Sequence, residues 1–155
     1  MKFQVLAIAL LFCACSSSIR AGVGSKDTVY VGGTVSSIKQ DTEGKSSAAD
    51  EKVFTFQYKG GRLAIPYDRV NSLEYGQKAG RRIGVAIMVS PIALLSKKRK
   101  HFVTVSYLDE ADKQQAAVFE LGKDVVRVTL ATLEARTGRK IEYQDEEARK
   151  SGRGN

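Results

Sequence analysis

The sequence predicts an α+β fold: an antiparallel β-sheet, or a partly open barrel, of six to seven strands that is capped by one C-terminal α-helix. Two hairpins predict the sheet. Aromatic residues occupy alternate positions along residues 52–58 before a turn at Gly60-Gly61, and a polar turn at 109–113 separates two further strand-like runs. From residue 124 to 137 the apolar residues change to the spacing of an amphipathic helix. A helix that follows the strands in this way is expected to cover an open end or face of the sheet.

Six segments have the composition of strands, because β-branched and aromatic residues are frequent in them. They are residues 28–38, with a bend at Gly32-Gly33, and residues 52–58, 62–65, 69–75, 102–108 and 114–121. The polar residues 39–51 are predicted to form a loop. Residues 139–143 are predicted to be a short extended piece.

The predicted helix has one apolar stripe, formed by Val126, Leu130 and Leu133. Val125 and Val128 broaden this stripe. Asp124 favours its N-terminal end, and Gly138 suits a left-handed residue after its last turn. We expect the stripe to pack on the inner face of the sheet, against Phe54, Phe56, Val103, Val105 and Phe119. The charged residues on the other side of the helix should stay in water: Arg127, Glu134 and Arg136.

The first 21 residues have the organisation of a secretory signal peptide. Lys2 gives a positively charged start, an apolar stretch follows, and small and polar residues lead to a cleavage position after Ala21. The alternative is a lipoprotein, in which cleavage before Cys15 would leave that cysteine to carry a lipid. The protein is therefore predicted to be exported to the periplasm or cell envelope, either as a soluble product or with a lipid anchor.

The cysteines and charges limit the chemistry of the mature chain. Both cysteines, Cys13 and Cys15, are in the leader, so no thiol remains in the domain for a disulfide, a zinc site or redox work. Removing residues 1–21 takes away Lys2 and Arg20 and no acid, which lowers the formal net charge from +8 to +6.

We predict one domain over residues 22–143 and a charged, flexible tail over residues 144–155.

Residues 80–101, which we call the basic-apolar-basic segment, are the most unusual stretch. An apolar run of thirteen residues, 83–95, lies between basic clusters, and no acid occurs from residue 76 to residue 101. Thirteen helical residues span about 20 Å, less than the roughly 30 Å of a bilayer core, so the run is too short for an ordinary transmembrane helix. It is either part of the core or an interfacial anchor whose flanking cations meet anionic lipid. As an anchor, the segment would use Arg81, Arg82, Ile83, Ile87, Met88, Ile92, Leu94, Leu95, Lys97, Lys98, Arg99 and Lys100.

The passage LAIPYDRVNSLE at residues 63–74 begins with the end of a predicted strand, followed by Ile-Pro-Tyr. Two hydrophobic residues then occur three positions apart, and a glutamate follows the second. With the hairpin and helix at the end of the domain, it resembles small bacterial pleckstrin-homology-like (PH-like or GRAM-like) domains over roughly residues 28–137. The resemblance implies a PH-like sheet closed by the C-terminal helix. It also implies a module that can accept a peptide at the sheet edge beside that helix.

No catalytic or metal-binding motif accompanies these features in the sequence. His101 is the only histidine, and no serine-centred motif of the kind that a catalytic triad needs is present. The acids at 109–112 lack the spacing of a calcium loop, and residues 76–80 lack that of a phosphate-binding loop. The cations at 97–100 have no RNA-binding motif beside them. The sequence therefore predicts a non-enzymatic protein with no cofactor, no metal and no nucleic-acid partner.

Two functions follow from these observations. The leading prediction is an exported PH-like module that associates peripherally with an anionic membrane surface through the basic-apolar-basic segment. The alternative is an interaction domain for an envelope protein, which would bind a peptide at the sheet edge or in a groove beside the C-terminal helix.

Overall fold

The computed structural model describes residues 24–78, 88–91, 93 and 100–154 of the chain, and their side chains from Thr28 onward except that of Met88. The predicted signal peptide, including Cys15, and most of the basic-apolar-basic segment lie outside the described residues.

The described residues form an α+β fold in which two helices follow a mostly antiparallel, open β-sheet. The strands are β1 (Gly24–Gly33), β2 (Thr42–Ser47), β3 (Val53–Tyr58), β4 (Gly61–Pro66), β5 (Val70–Gly76), β6 (Met88–Val89), β7 (His101–Leu108), β8 (Gln114–Leu121) and β9 (Ile141–Tyr143). The helices are α1 (Val126–Thr137) and α2 (Glu146–Arg153). A 3₁₀ turn at Tyr67–Arg69 joins β4 to β5.

The strand order along the sheet is β4-β3-β2-β1-β8-β7-β5-β9, and neighbours are antiparallel except for the parallel pair β5 and β9. β6 stands off this path and pairs with β1 at Gly32 and Gly33, beyond the part of β1 that pairs with β2. The predicted α+β class and antiparallel sheet are confirmed. The sheet has more strands than the six to seven expected, because β2, β6 and β9 join the six predicted ones.

The prediction of a loop at residues 39–51 is wrong for Thr42–Ser47, which form β2 between β1 and β3. Its inward positions carry very small residues. The buried Ser46 hydroxyl lies 2.7 Å from the hydroxyl of buried Thr28, and a Cβ atom at Gly44 would lie 2.7 Å from the Phe56 ring. Because a serine and a glycine face the core, β2 lacks the hydrophobic alternation that reveals the other strands.

Helix α1 closes one face of the sheet, as predicted. Val126, Leu130 and Leu133 are at most 2% exposed. Val128 was expected to broaden this stripe, but it lies on the outer side of the helix, and Thr129 is the neighbour that is buried instead. The three stripe residues join one core cluster with all the strand residues expected beneath them: Phe54, Phe56, Val103, Val105 and Phe119.

The other face of the central strands is also buried. Phe102 on β7 and Val118 on β8 pack with Val31 and Ala93, and Val89 lies against the same cluster. Val89 and Ala93 belong to the apolar run of the basic-apolar-basic segment, so the described part of that run covers this face of the sheet.

The expectation of a flexible tail is wrong for Glu146–Arg153, which form α2. Asp145 caps this helix, because its Oδ1 accepts a hydrogen bond from the Ala148 backbone N–H at 2.7 Å. Ala148 and Gly152 are buried against the rest of the protein. Burial of this inner side compensates for the short length of α2, which would not be stable in isolation.

Candidate functional site

The residues predicted to contact a membrane are described only in part. The backbone of Met88 is in β6, where it pairs with Gly33. Lys100 forms an ion pair with Glu120 on β8, with 2.7 Å between Nζ and Oε2. The others lie outside the described residues: Arg81, Arg82, Ile83, Ile87, Ile92, Leu94, Leu95, Lys97, Lys98 and Arg99. Within the described part of the chain, none of the helices has the length and apolar character needed to cross a bilayer.

A cavity of about 580 Å³ lies between the two helices, and we call it the α1–α2 groove. Its volume is within the range of ligand pockets in proteins. Most of the lining is apolar or small: Val128, Leu130, Ala131, Ala135, Tyr143 and Gly152. Polar groups stand among these residues: Arg127, Thr132, Glu134 and Arg153.

The outer side of α1 supplies one wall of the groove with small apolar side chains. Val128, Ala131 and Ala135 are three and four residues apart, which places them on one side of the helix. All three are exposed. Val128, with 48% of its surface exposed, is the only exposed large hydrophobic residue in the described part of the chain. Small side chains allow a partner to approach the α1 backbone closely.

Two arginines border the groove. The guanidinium of Arg153 lies 5.5 Å from the centroid of the Tyr143 ring, within the range of a cation–π contact. Arg127 Nε donates a hydrogen bond to the carbonyl oxygen of Ser151 at 3.4 Å. Both arginines are exposed, so the contacts orient their guanidinium groups and leave them accessible to a ligand.

Glu134 joins α1 to β9 and α2. Its Oε1 accepts a hydrogen bond from the backbone N–H of Ile141 at 3.1 Å and lies 3.5 Å from Arg153. The expectation that Glu134 stays in water is therefore wrong, because the side chain is only 29% exposed and has two partners. Its position fixes both walls of the groove relative to the sheet.

We expect Glu134→Ala to lower the free energy of unfolding by on the order of 1 kcal/mol, because the part-buried N–H of Ile141 loses its acceptor. Glu134→Gln keeps an oxygen that can accept this hydrogen bond, so it should retain most of the stability. Urea unfolding of both variants measures the difference. Equal losses would assign the stabilisation to the charge pair with Arg153 instead, and no loss in either would show that β9 is held without Glu134.

His101 is at one end of a hydrogen-bond chain that connects the sheet to α2. The hydroxyl of buried Tyr75 lies 2.6 Å from His101 Nδ1 and 3.2 Å from Ser151 Oγ, and Gln77 Nε2 donates to Ser151 Oγ at 3.2 Å. If each hydroxyl donates onward, the chain ends with Tyr75 donating to an unprotonated Nδ1. The ring proton is then on Nε2. Burial, followed by the positive charge of Lys123, lowers the pKa of His101, and Glu120 opposes this effect in part.

This lowered pKa predicts a loss of stability in acid. Unfolded His101 binds its proton near the ordinary pKa of 6.5, whereas the folded protein binds it only at lower pH. Below 6.5 the unfolded state therefore carries more protons, and the contribution of His101 to stability falls as the pH falls. Protonation of Nδ1 would also remove the acceptor of the Tyr75 hydroxyl.

Urea unfolding at about pH 7.5 and about pH 5.5, one unit on each side of the ordinary pKa, measures this effect. The natural protein should lose more stability on acidification than His101→Gln does. Three other ionisable groups lie close to His101 and are present in both proteins: Lys123, Glu120 and Tyr75. An identical acid dependence in the two proteins would contradict the lowered pKa.

The sequence predicted a groove beside the C-terminal helix only as an alternative binding site. Its second wall, α2, was missed because residues 144–155 were assigned to a flexible tail. A signal was present in that stretch: Asp145 precedes two acids, basic residues follow at Lys150 and Arg153, and Gly154 comes next. This is the pattern of a capped helix whose charges complement its dipole. The near-zero net charge of the tail hid it.

The arrangement is suited to binding an apolar ligand that carries negative charge. Within the described residues, no three His, Cys, Asp or Glu side chains gather as they would around a metal ion. The fold and the groove define an α+β domain whose open sheet is closed by a helix and whose last two helices form a ligand-sized groove. Comparison with protein-family models and with curated protein sequences gives no match.

Proposed function

We propose that the chain is a non-enzymatic, exported PH-like module that binds an acidic, amphipathic segment of an envelope protein in the α1–α2 groove. The observation that carries the proposal is the cavity of about 580 Å³ with an apolar wall at Val128 and two accessible arginines at its border. Export rests on the leader at residues 1–21, and the negative charge of the partner rests on the charge of the groove.

The order of elements supports the PH-like part of the proposal. Without the two-residue β6 and the three-residue β9, seven strands remain, and the last two form a hairpin that leads into α1. The structure of the passage at 63–74 also supports it. β4 ends at Pro66, the 3₁₀ turn follows, and β5 buries Val70 and Leu73.

The shape of the groove favours a helical partner. α1 is twelve residues long, and a helix of this length spans about 18 Å. A second helix could place its apolar face on Val128, Ala131 and Ala135, in the manner of an amphipathic helix bound in a groove. Acids on the polar face of that helix would then meet Arg127 and Arg153, whose charges exceed the single negative charge of Glu134 among the lining residues.

Two labelled peptides of about 12 residues, enough to span about 18 Å of helix, test this proposal. One has leucines on one helical face and glutamates on the other, and its control has the same composition in scrambled order. We expect the patterned peptide to bind at least about tenfold more tightly in fluorescence anisotropy, a difference of about 1.4 kcal/mol. Electrostatic attraction alone would give equal affinities, because both peptides have the same charge.

A matched pair of variants locates the binding site. Ala131→Arg places a long side chain in the groove, and Ala111→Arg adds the same charge at an exposed turn between β7 and β8. Ala131→Arg should abolish the preference for the patterned peptide, and Ala111→Arg should leave it unchanged. The proposal fails if the two peptides bind equally to the natural protein, or if Ala131→Arg has no effect.

A second candidate function is peripheral binding to an anionic membrane through the basic-apolar-basic segment. The observation that favours it is the absence of any acid from residue 76 to residue 101, where seven lysines and arginines occur. Each cation near an anionic surface contributes about 1 kcal/mol, so even half of them would give a salt-sensitive attraction. The ion pair of Lys100 with Glu120 removes one of the seven from this role.

Sedimentation with anionic vesicles at low and high salt tests the membrane hypothesis. Replacing Lys97, Lys98 and Arg99 with Gln should reduce binding at low salt. Replacing the same number of exposed lysines elsewhere is the control for net charge: Lys39, Lys45 and Lys59. Equal reductions by the two sets would leave only non-specific attraction of a basic protein, and no binding at low salt would exclude the function.

A further inference from the structure

A second cavity, of about 300 Å³, lies at the start of α1 and is distinct from the α1–α2 groove. Its lining comes from three elements and the loop before α1: His101, Lys123, Asp124, Val126, Arg127 and Ser151. Only Arg127 lines both cavities. The site is therefore not a part of the groove proposed above, although one arginine is shared.

Three of these residues can offer hydrogen-bond donors to a ligand. The ammonium of Lys123 and the guanidinium of Arg127 are cationic donors. The Ser151 hydroxyl lies 3.2 Å from the Tyr75 hydroxyl, to which it donates when the chain runs toward His101. When the Tyr75 hydroxyl donates to Nδ1 of His101, the ring proton is on Nε2, which is then the third donor. The carboxylate of Asp124 is the one negative group in the lining, so the two cations exceed it by one charge.

We propose that this cavity binds a small oxyanion, a phosphate or carboxylate group, between Lys123, Arg127 and His101. Two features organise the site before any ligand arrives. Arg127 is held by the carbonyl oxygen of Ser151, and the His101 ring is stacked on Tyr75 with an angle of 15° between the ring planes. Hydrogen bonds from ionised donors such as Arg127 and Lys123 to an oxyanion are short and strong.

The lowered pKa of His101 agrees with a positively charged environment. After burial, the charge of Lys123 is the next cause that lowers the pKa of the imidazole. The site therefore disfavours a third positive charge while it is empty. An oxyanion would offset the charge of Lys123 and raise the pKa of His101, which makes ligand binding and protonation of this ring mutually favourable.

His101 is the only histidine of the chain, so its ring gives an unambiguous NMR signal that reports on the cavity. Titration with sodium phosphate, and separately with sodium acetate, should shift the His101 signal to saturation with at least one of the two ions. Bound anion should also raise the pH midpoint of the His101 titration by about one unit. Sodium chloride at matched ionic strength is the control for screening.

Lys123→Gln should weaken the interaction about tenfold, and Lys140→Gln, which removes an exposed lysine outside the cavity, should not. Thermal unfolding gives a second measurement, because an anion that binds the folded protein raises its Tm. Phosphate or acetate should stabilise the natural protein and Lys140→Gln more than Lys123→Gln. An unsaturable shift, or equal shifts in the natural protein and Lys123→Gln, would overturn the proposal.

This result is independent of the peptide experiment. Ala131→Arg blocks the α1–α2 groove and leaves the lining of the smaller cavity intact. It should therefore abolish peptide binding and preserve the response of His101 to the oxyanion.

Discussion

Leu130→Ala is expected to lower the free energy of unfolding by about 2 to 5 kcal/mol, the range found for truncation of buried leucines. Leu130 is 2% exposed and belongs to the core cluster between α1 and the sheet. It also supports α2, because a Cβ atom at Gly152 would lie 3.1 Å from its Cδ1. The expected loss is a large share of the about 5 to 15 kcal/mol that stabilises a typical domain.

Val128→Ala is the matched control for Leu130→Ala, since it shortens an apolar side chain on the exposed side of the same helix. It should change stability by less than about 0.5 kcal/mol. Urea unfolding compares the two variants. Small and equal effects would show that α1 does not pack on the sheet, and the PH-like proposal would be lost with that packing.

Gly152→Val is expected to displace α2 from the body of the protein and to destroy the α1–α2 groove. A Cβ atom at Gly152 would lie 2.7 Å from Tyr143 Cε1 and 3.1 Å from Tyr75 Cε1, so a larger side chain has no room. Overpacking of this kind costs about 1 to 3 kcal/mol. Because α2 has eight residues and is not stable alone, we expect this cost to appear as local unfolding of the helix.

Amide hydrogen exchange of α2 measures this local unfolding. Exchange should accelerate about tenfold or more in Gly152→Val, which corresponds to about 1.4 kcal/mol. Lys150→Val introduces the same side chain at an exposed position of the same helix and controls for helix propensity. If both variants exchange equally fast, the close packing of Gly152 does not hold α2, and the groove has no stable second wall.

The parts of the fold that the sequence predicted are those in which hydrophobic spacing and burial coincide. The alternation of Phe54 and Phe56 along β3, and the stripe of Leu130 and Leu133 on α1, each identify the face that the structure buries. The hairpin between β3 and β4 was predicted one residue too late: Tyr58 pairs with Gly61, so the turn is Lys59-Gly60 and not Gly60-Gly61. Gly61 begins β4 with a φ of +153°, a conformation that glycine adopts readily.

The elements that were missed, β2 and α2, bury small residues in place of large hydrophobic side chains. Gly44 and Ser46 face inward on β2, since the Phe56 ring and the Thr28 hydroxyl occupy the space beside them. α2 similarly buries a glycine and an alanine, Gly152 and Ala148. Residues this small give no periodic signal, although Gly44 and Gly152 permit close contacts with aromatic rings.

The candidate site was predicted only as a possibility beside the C-terminal helix. The groove needs α1, β9 and α2 together, and no single segment of sequence contains it. The contacts that assemble it, such as those of Glu134 with Ile141 and Arg153, depend on the parallel pairing of β9 with β5. The two cations that border the groove could be read from the sequence, but their position beside Val128 could not.

Binding of an acidic amphipathic helix between α1 and α2 is tested most directly by an NMR titration of the ¹⁵N-labelled protein, without its predicted signal peptide, with the patterned peptide. We expect amide shifts concentrated at Val128, Ala131, Ala135 and Gly152. The β3–β4 hairpin should change little, and the scrambled peptide should give no such concentration. Shifts confined to the basic-apolar-basic segment, or spread evenly over exposed lysines and arginines, would contradict it.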